Sequence, residues 1–211
     1  MPLGDFVVGP RAAADGALVT GLRAGRSGEL ITGDAHAHFR EATYRIGAWC
    51  ASVPVAGVAP GTALGTAPPL CIWNPPNSGV NADIWKATMG YISGTLGAGG
   101  IVYAQAPQLT KPTGVAPAIV PVSGLIGNLK TGAIQAFTGS TIAATETLVV
   151  PTGWNLSASL ATTASAGFQW EDLLDGEFIL TPGNVFCMQG LCAAGSSPLV
   201  VMSLTWEETP V

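Results

Sequence analysis

The chain has few charged residues. Only 10% of its 211 residues are Asp, Glu, Lys or Arg, whereas about a quarter are charged in an ordinary soluble domain. A chain with so little charge is expected to bury neutral and apolar surface outside its own core, and obligate subunit interfaces are poor in charge for this reason. The composition therefore predicts a homo-oligomer or a component of a larger shell.

The sequence also lacks a long hydrophobic run. Its mean hydropathy is +0.42, yet apolar runs such as 148–151 and 198–204 are far shorter than the roughly 18 to 20 residues that span a bilayer. The first residues have neither the basic region nor the apolar stretch of a signal peptide. We therefore expect no transmembrane helix, no membrane partner and no cleaved secretion signal.

Basic residues are scarce, so nucleic acid is not an expected partner. The formal net charge is −5, whereas affinity for phosphate groups comes mainly from Lys and Arg. Most of the basic residues are arginines near the start of the chain, where carboxylates balance them. Because a guanidinium pairs bidentately with a carboxylate, we expect these arginines to dock on another protein. They are Arg11, Arg23, Arg26, Arg40 and Arg45.

The four cysteines contain no Cys-x-x-Cys pair. Cys50 and Cys71 lie in apolar runs, where a free cysteine behaves as a small hydrophobic residue. Cys187 and Cys192 could bridge across a hairpin, but reduced, buried thiols are the expectation for a protein made inside a cell.

Helix signals are rare, because Gly or Pro interrupts almost every window long enough for a helix. Short runs of Thr, Val, Ile and aromatic residues between turn residues are typical of a sandwich or barrel. The sequence predicts an all-β, jelly-roll-like antiparallel β-sandwich over 34–211, preceded by an extended N-terminal arm over 1–33. A short helical turn is expected at 170–176. Strands are expected at about 35–49, 50–56, 69–74, 80–93, 99–105, 119–123, 132–137, 145–151, 167–171, 176–181, 184–189 and 198–207.

Two of these regions carry further expectations. The glycine-rich stretch 94–100 lacks the Lys and Ser/Thr of a phosphate-binding loop, so it predicts a hairpin turn between two strands. In the last strand, alternation puts Val200, Met202, Leu204 and Trp206 on one face. Because the other face is also largely apolar, we expect a mid-sheet strand with its outer face covered by another subunit. Trp206 is a candidate interface residue.

Both histidines lie in the stretch "GDAHAHFREATYR", 33–45. Asp34, His36 and His38 resemble the first metal-binding motif of the amidohydrolase superfamily, but that superfamily needs further histidines that this chain lacks. Side chains at i, i+2 and i+4 of a straight strand also spread over about 13 Å, so they cannot converge on one ion. We therefore expect no catalytic residue, no metal, no cofactor and no enzymatic activity. His36 and His38 are instead candidate subunit contacts, sensitive to pH near the usual histidine pKa of about 6.5.

The motif order resembles that of small virion structural proteins of tailed bacteriophages. An Arg/Gly arm with "GRSGE" is followed by the strand "HFREATYR", the turn "IWNPPNSGVN" and a closing segment that runs from "TPG" to "TWEE". The resemblance implies a capsid-decorating (cement) protein, made in the host cytoplasm and located on the capsid surface of the virion. Such a protein is jelly-roll-like and homotrimeric, bridges major capsid protein subunits, and has no catalytic residues.

The alternative is a receptor- or carbohydrate-binding module of a head fibre or tail. Six tryptophans could stack on sugars, although tryptophans in a β domain are more often core and interface anchors. A sugar-binding module requires clustered, exposed Trp side chains.

Overall fold

The computed structural model describes residues 39–114, 119–156 and 169–211, and residues 41–211 form one compact unit. The predicted arm, 1–33, and the predicted domain start, 34–38, lie outside the described residues. The elements are α1 (Arg40–Tyr44), β1 (Ala48–Ser52), β2 (Leu70–Asn74), β3 (Val80–Thr95), β4 (Gly99–Pro107), β5 (Val122–Ser123), β6 (Gln135–Phe137), β7 (Thr147–Leu156), β8 (Gln169–Leu180), β9 (Asn184–Cys192) and β10 (Ser196–Pro210).

The strands form two antiparallel sheets. Sheet 1 has the order β5-β1-β10-β3-β8, and sheet 2 has the order β6-β2-β9-β4-β7. Most strands that follow each other in the chain therefore lie in opposite sheets. The chain crosses repeatedly between the two layers of a sandwich.

The order of the eight strands other than β5 and β6 follows from a single long ribbon that is folded back on itself. β4 pairs with β7, β3 with β8, β2 with β9 and β1 with β10, so the chain folds back between β4 and β7 into one long two-stranded ribbon. Rolling that ribbon brings β10 against β3 and β9 against β4. This is the strand arrangement of a jelly roll, which confirms the predicted fold class.

The main core lies between the two sheets. β10 contributes Val200, Met202, Leu204 and Trp206, all 0% exposed, and Trp206 is the register partner of Trp49 on β1. The predicted alternation in the last strand is confirmed, as is its place in the middle of a sheet. Sheet 2 contributes side chains such as Leu70, Ile72, Ile101, Tyr103, Phe186 and Met188 to the same core.

A second, smaller core covers the outer face of sheet 2. Cys71, Trp73, Val185 and Cys187 belong to this core and pack with residues such as Ile142. The loops above them are held by main-chain hydrogen bonds, from the N–H of residue 142 to the carbonyl of 66 and from the N–H of 139 to the carbonyl of 68, both 2.9 Å. The chain's own loops therefore bury both faces of the β2 and β9 strands, in agreement with their nearly unbroken burial.

The strand predicted at 35–49 is wrong over residues 40–44, which form helix α1. The sequence there, "REATY", contains Arg, Glu and Ala, which are among the better helix formers. The helix ends where Ile46 takes a positive φ of 64°, and the Gly47 N–H donates to the Ala42 carbonyl at 2.9 Å. Strand β1 begins only at Ala48.

The helical turn predicted at 170–176 is wrong as well, because these residues lie in strand β8. Here Trp170 and Leu174 are buried while Glu171 and Leu173 are exposed, which is the alternation of a strand. The register then slips, since Lys86 pairs with Leu173 but Ile84 pairs with Phe178. Residues between these pairs form a large bulge. The helix-like spacing of the segment comes from Trp170, Leu173 and Leu174.

The hairpin predicted at 94–100 is a crossover between sheets. β3 belongs to sheet 1 and β4 to sheet 2, so the glycine-rich stretch passes over the end of the sandwich. Gly94 has a φ of 83°, and a Cβ there would collide with the backbone of Ser197. The glycines thus permit a close approach of two chain segments, which local sequence cannot distinguish from a tight turn.

Candidate interface surfaces

The outer face of sheet 1 carries small polar side chains on its central strands. Thr205 on β10 has Cys50 and Lys86 as its register partners on β1 and β3. Ser203 and Thr88 are also opposite each other, and their hydroxyl oxygens are hydrogen-bonded at 2.6 Å. These side chains alternate with core residues along their strands, so they face away from sheet 2.

Charged side chains border this face. The ammonium of Lys86 lies 4.0 Å from a carboxylate oxygen of Glu171, an exposed pair of the kind that contributes little to stability. Glu207 is the register partner of Asp83. Burial, and secondly the charge of Asp83, raises the pKa of Glu207 above its usual value. The border therefore carries a like-charged pair that a cation or a donor on a partner would relieve.

An exposed apolar segment lies at the β5 edge of sheet 1. We call residues 120–129 the apolar edge segment. Its exposed fractions are 73% for Val120, 60% for Val122, 87% for Ile126 and 96% for Leu129. No charged residue occurs between Lys111 and Lys130. Clusters of exposed aliphatic side chains on a soluble domain commonly mark a binding surface.

Local hydrogen bonds give the apolar edge segment a defined conformation. The Gly124 N–H donates to the Ala48 carbonyl of β1 at 2.9 Å, and the Ser123 hydroxyl accepts the Leu125 N–H at 3.2 Å. The Asn128 side-chain oxygen accepts the Lys130 N–H at 3.1 Å. The apolar side chains are thus presented on an ordered loop whose position is set by the sheet edge.

The chain after the segment is fixed to β10. Both carboxylate oxygens of Glu208 accept main-chain N–H groups, from Ala133 at 3.0 Å and from Ile134 at 2.9 Å. The Ile119 N–H, just before the segment, donates to the Ala136 carbonyl at 2.9 Å. Both ends of the apolar edge segment are therefore tied to the sandwich.

The predicted interface residues fall in three places. Arg40 and Arg45 are exposed at the start of α1 and just after its end. Thr43 of the same helix packs against Gly124, so α1 borders the apolar edge segment. Trp206 is 0% exposed in the main core, which leaves its side chain no surface for a partner. The remaining candidates lie outside the described residues: Arg11, Arg23, Arg26, His36 and His38.

The four exposed aliphatic side chains of the apolar edge segment are not among the predicted interface residues. Val120 and Val122 lie in the strand predicted at 119–123, where a Val or Ile is usually buried, and Ile126 and Leu129 lie between the two strands predicted at 119–123 and 132–137. The missing charge between Lys111 and Lys130 was the signal that could have identified this surface.

The tryptophans do not form a sugar platform in the described part of the chain. Trp49, Trp73, Trp85, Trp170 and Trp206 are all less than 10% exposed. The side chain of Trp154 lies outside the described residues. Nothing in these positions therefore favours the carbohydrate-binding alternative.

Metal-binding clusters and membrane-spanning helices are both absent from residues 39–114, 119–156 and 169–211. These ranges contain no group of three or more His, Cys, Asp or Glu side chains placed to hold a metal ion. The same ranges contain no helix with the length and apolar character to cross a membrane.

Strand order and burial thus define a jelly-roll β-sandwich, with an apolar edge that is exposed in the described part of the chain. No family model matches the chain, and no curated protein matches it. Among solved structures, the chain is similar to a chain of one described as "KBV activated particle at acidic pH". That similarity covers 100% of this chain and 92% of the other, with 10% identical residues and a TM-score of 0.23. A TM-score this low supports no conclusion, so the fold class rests on the strand order.

Proposed function

We propose that this protein is a virion structural protein of the capsid-decorating (cement) type, which bridges major capsid protein subunits of a bacteriophage. Its role would be adhesive and not enzymatic, carried out as a homotrimer on the capsid surface after synthesis in the host cytoplasm. The motif order and the jelly-roll strand order support this proposal, although a fold alone leaves function open.

The apolar edge segment is the observation that carries the proposal. A structural protein of a shell must offer a preformed surface that gains free energy by burial, and Val120, Val122, Ile126 and Leu129 offer one. Burying a fully exposed aliphatic side chain contributes about 1.5–3 kcal/mol. Because the segment is ordered by hydrogen bonds before a partner arrives, little further entropy is lost on binding.

The charge balance supports the choice of partner. A net charge of −5 and only eight basic residues do not favour nucleic acid. An uncharged apolar edge favours another protein, either a second copy of this chain or a capsid protein. We propose both as partners and neither nucleic acid nor membrane.

Particle binding tests the proposal directly. The double variant Ile126→Asp/Leu129→Asp should bind purified particles at least tenfold more weakly than the unaltered chain, measured by co-sedimentation at several protein concentrations. Val55→Asp is the matched control, because Val55 is 93% exposed but lies outside the segment, and it should bind like the unaltered chain.

Two results would contradict the proposal. If mass spectrometry and image reconstruction of purified particles find no copies of the chain on the shell, the virion role is wrong. If the chain is present but both variants bind equally well, the virion role survives and the apolar edge segment is not the contact surface.

A further inference from the structure

A cluster of two thiols and a carboxyl group lies beneath the loops that cover sheet 2. Cys71 on β2 is the direct register partner of Cys187 on β9, and both side chains are 0% exposed. Glu146, which is 4% exposed, lies close enough to Cys187 to raise the pKa of its thiol. Cys71 raises the pKa of the same thiol, and both cysteines belong to the second core. The three side chains therefore lie together beneath the loops.

The carboxyl group of this cluster is incompletely satisfied. One oxygen of Glu146 accepts the Gly65 N–H at 3.2 Å, whereas the other is buried without a hydrogen-bond partner. A buried polar atom without a partner costs stability. Three apolar side chains would fill this position more favourably, so the cluster calls for a chemical explanation.

The register of the two cysteines suits a covalent bond. Residues directly opposite in antiparallel strands have Cα atoms about 4.5–5.5 Å apart, within the range of about 4.4–6.8 Å that a disulfide spans. The other two cysteines have no such partner, since Cys50 lies opposite Thr205 and Cys192 lies opposite Gly99. All four are free thiols in this structure.

We propose that Cys71 and Cys187 are a modification site that forms a reversible disulfide between β2 and β9 by exchange with a low-molecular-weight disulfide such as oxidised glutathione. This modification concerns the sandwich itself and does not depend on the proposed virion role.

The exchange balances in two steps. The Cys187 thiol gives its proton to the Glu146 carboxylate, and the sulfur attacks oxidised glutathione to form a mixed disulfide and one glutathione thiolate, which takes the proton. The Cys71 sulfur then attacks the mixed disulfide, its proton leaves with the second glutathione, and the Cys71–Cys187 bond forms. Two cysteine thiols are oxidised, and one glutathione disulfide is reduced to two glutathione thiols.

Burial makes the folded site slow to react. Burial first, and then Cys71 and Glu146, raises the pKa of the Cys187 thiol well above its usual value, so the nucleophilic thiolate is rare. Exchange is therefore expected to require an opening of the loops that contain Gly65 and Glu146. The same cover would protect the disulfide from reduction once it has formed.

The bond would connect two distant parts of the chain. A cross-link between residues 71 and 187 closes a loop of more than 100 residues, for which the chain-entropy stabilisation is large. The oxidised protein is expected to melt about 5 °C or more above the reduced protein.

The test uses the full chain in two arms. The folded protein is incubated at 37 °C with oxidised glutathione, and urea-unfolded protein is refolded in a buffer of oxidised and reduced glutathione, which gives the thiols access. Both are alkylated and digested without reduction. We expect a linked peptide pair containing Cys71 and Cys187, a higher melting temperature, and reversal of both by dithiothreitol.

The variants identify the bond. Cys50→Ser/Cys192→Ser should behave like the unaltered chain, whereas Cys71→Ser and Cys187→Ser should each abolish both the linked peptide and the rise in melting temperature. The proposal is wrong if refolding in the redox buffer yields only free Cys71 and Cys187, if either forms only a mixed disulfide with glutathione, or if the linked protein melts at a lower temperature than the reduced protein.

Discussion

At the scale of single residues, buried polar side chains hold the loops on the sandwich. The Asn74 amide donates to the carbonyls of Val80 and Leu180, at 2.8 and 3.0 Å. The amide oxygen of Gln108 accepts the Ala143 N–H at 2.7 Å. Asn74 is 0% exposed and Gln108 is 2% exposed, and a buried amide left without a partner would cost about 1–3 kcal/mol. The bonds from Asn74 to Leu180 and from Ala143 to Gln108 join segments that are far apart in the sequence.

Glu146 is a buried carboxyl group with one oxygen that lacks a hydrogen-bond partner. Burial raises its pKa above the usual 4.5, although Cys187 and the hydrogen bond from the Gly65 N–H partly oppose this. The folded state therefore holds the proton more tightly than the unfolded state. It follows that the free energy of unfolding falls as the pH rises from about 4.5 through the raised pKa of Glu146.

The variant Glu146→Gln should remove this loss. We expect it to raise the free energy of unfolding by about 1 kcal/mol or more at pH 8, because the amide carries no charge in a buried site. The gain should shrink toward zero at pH 4, where the carboxyl group is protonated in both states. Urea unfolding followed by tryptophan fluorescence at several pH values measures the effect.

Glu171→Gln provides the control for this pH series. The Glu171 side chain is 46% exposed and pairs with the exposed Lys86, so the free energy of unfolding of this variant should change by less than about 0.5 kcal/mol at any pH. A destabilised Glu146→Gln at pH 8 would mean that the ionised carboxylate is favourable where it lies.

At the scale of secondary structure elements, the strands could be predicted from the sequence but their partners could not. β2, β4 and β10 begin and end within a few residues of the predictions, since β-branched residues between turn residues specify an extended chain locally. The partners depend on the rolled ribbon, which pairs Ala48 with Glu207. Local sequence does not encode a contact over that distance. For the same reason the local sequence of 94–100 predicts a hairpin, whereas β3 and β4 lie in different sheets.

The apolar edge segment could not be predicted for a related reason. Val120 and Val122 lie in the strand predicted at 119–123, and the position of β5 at the end of sheet 1 leaves them exposed. Trp206 is the opposite case, because aromatic residues are frequent both in cores and in interfaces. Trp206 lies opposite Trp49 on β1, and both side chains are buried in the main core.

The backbone conformation of the bulge in β8 restricts which residues can occupy it. Asp175 and Gly176 have positive φ values of 48° and 86°, and a Cβ at Gly176 would have no atom within 4 Å. Any cost of Gly176→Ala would therefore come from the backbone alone. A left-handed conformation costs an L-residue about 1–2 kcal/mol, and we expect this loss of unfolding free energy in urea titrations.

Gly90→Ala is the matched control for the bulge. Gly90 lies in β3 of the same sheet, a Cβ there would also have no atom within 4 Å, and its backbone does not require a positive φ. Alanine should be tolerated there or should stabilise slightly, because it restricts the unfolded chain. Equal losses at both positions would show that the conformation at 175–176 is not what requires glycine.

At the scale of the whole molecule, the outer faces of the two sheets differ in how far the described loops cover them. Loops of this chain cover the outer face of sheet 2 with a second core, whereas the outer face of sheet 1 carries Thr88, Ser203 and Thr205 at half-buried positions. Sheet 1 also ends in the apolar edge segment. Neutral and apolar side chains, which the low charge of the sequence makes frequent, thus lie exposed or half-buried on the side of sheet 1.

This asymmetry predicts that stability depends on protein concentration. If copies of the chain associate through the apolar edge segment, mass action raises the melting temperature as the protein is concentrated. A tenfold increase in concentration is worth about 1.4 kcal/mol per association step. A trimer forms in two such steps, so each chain gains about 0.9 kcal/mol, which corresponds to a rise of about 2–4 °C for a chain of this length. Differential scanning fluorimetry from micromolar to hundreds of micromolar, with light scattering for the mass, measures the slope.

The variant Ile126→Asp/Leu129→Asp should abolish that slope without lowering the melting temperature at the lowest concentration. Both side chains are almost fully exposed in the single chain, so replacing them removes no packing within the sandwich. Val55→Asp, in contrast, should keep the slope of the unaltered chain. If the chain remains monomeric and its melting temperature does not change with concentration, the homotrimer is wrong. The apolar edge segment would then have to bind a different protein.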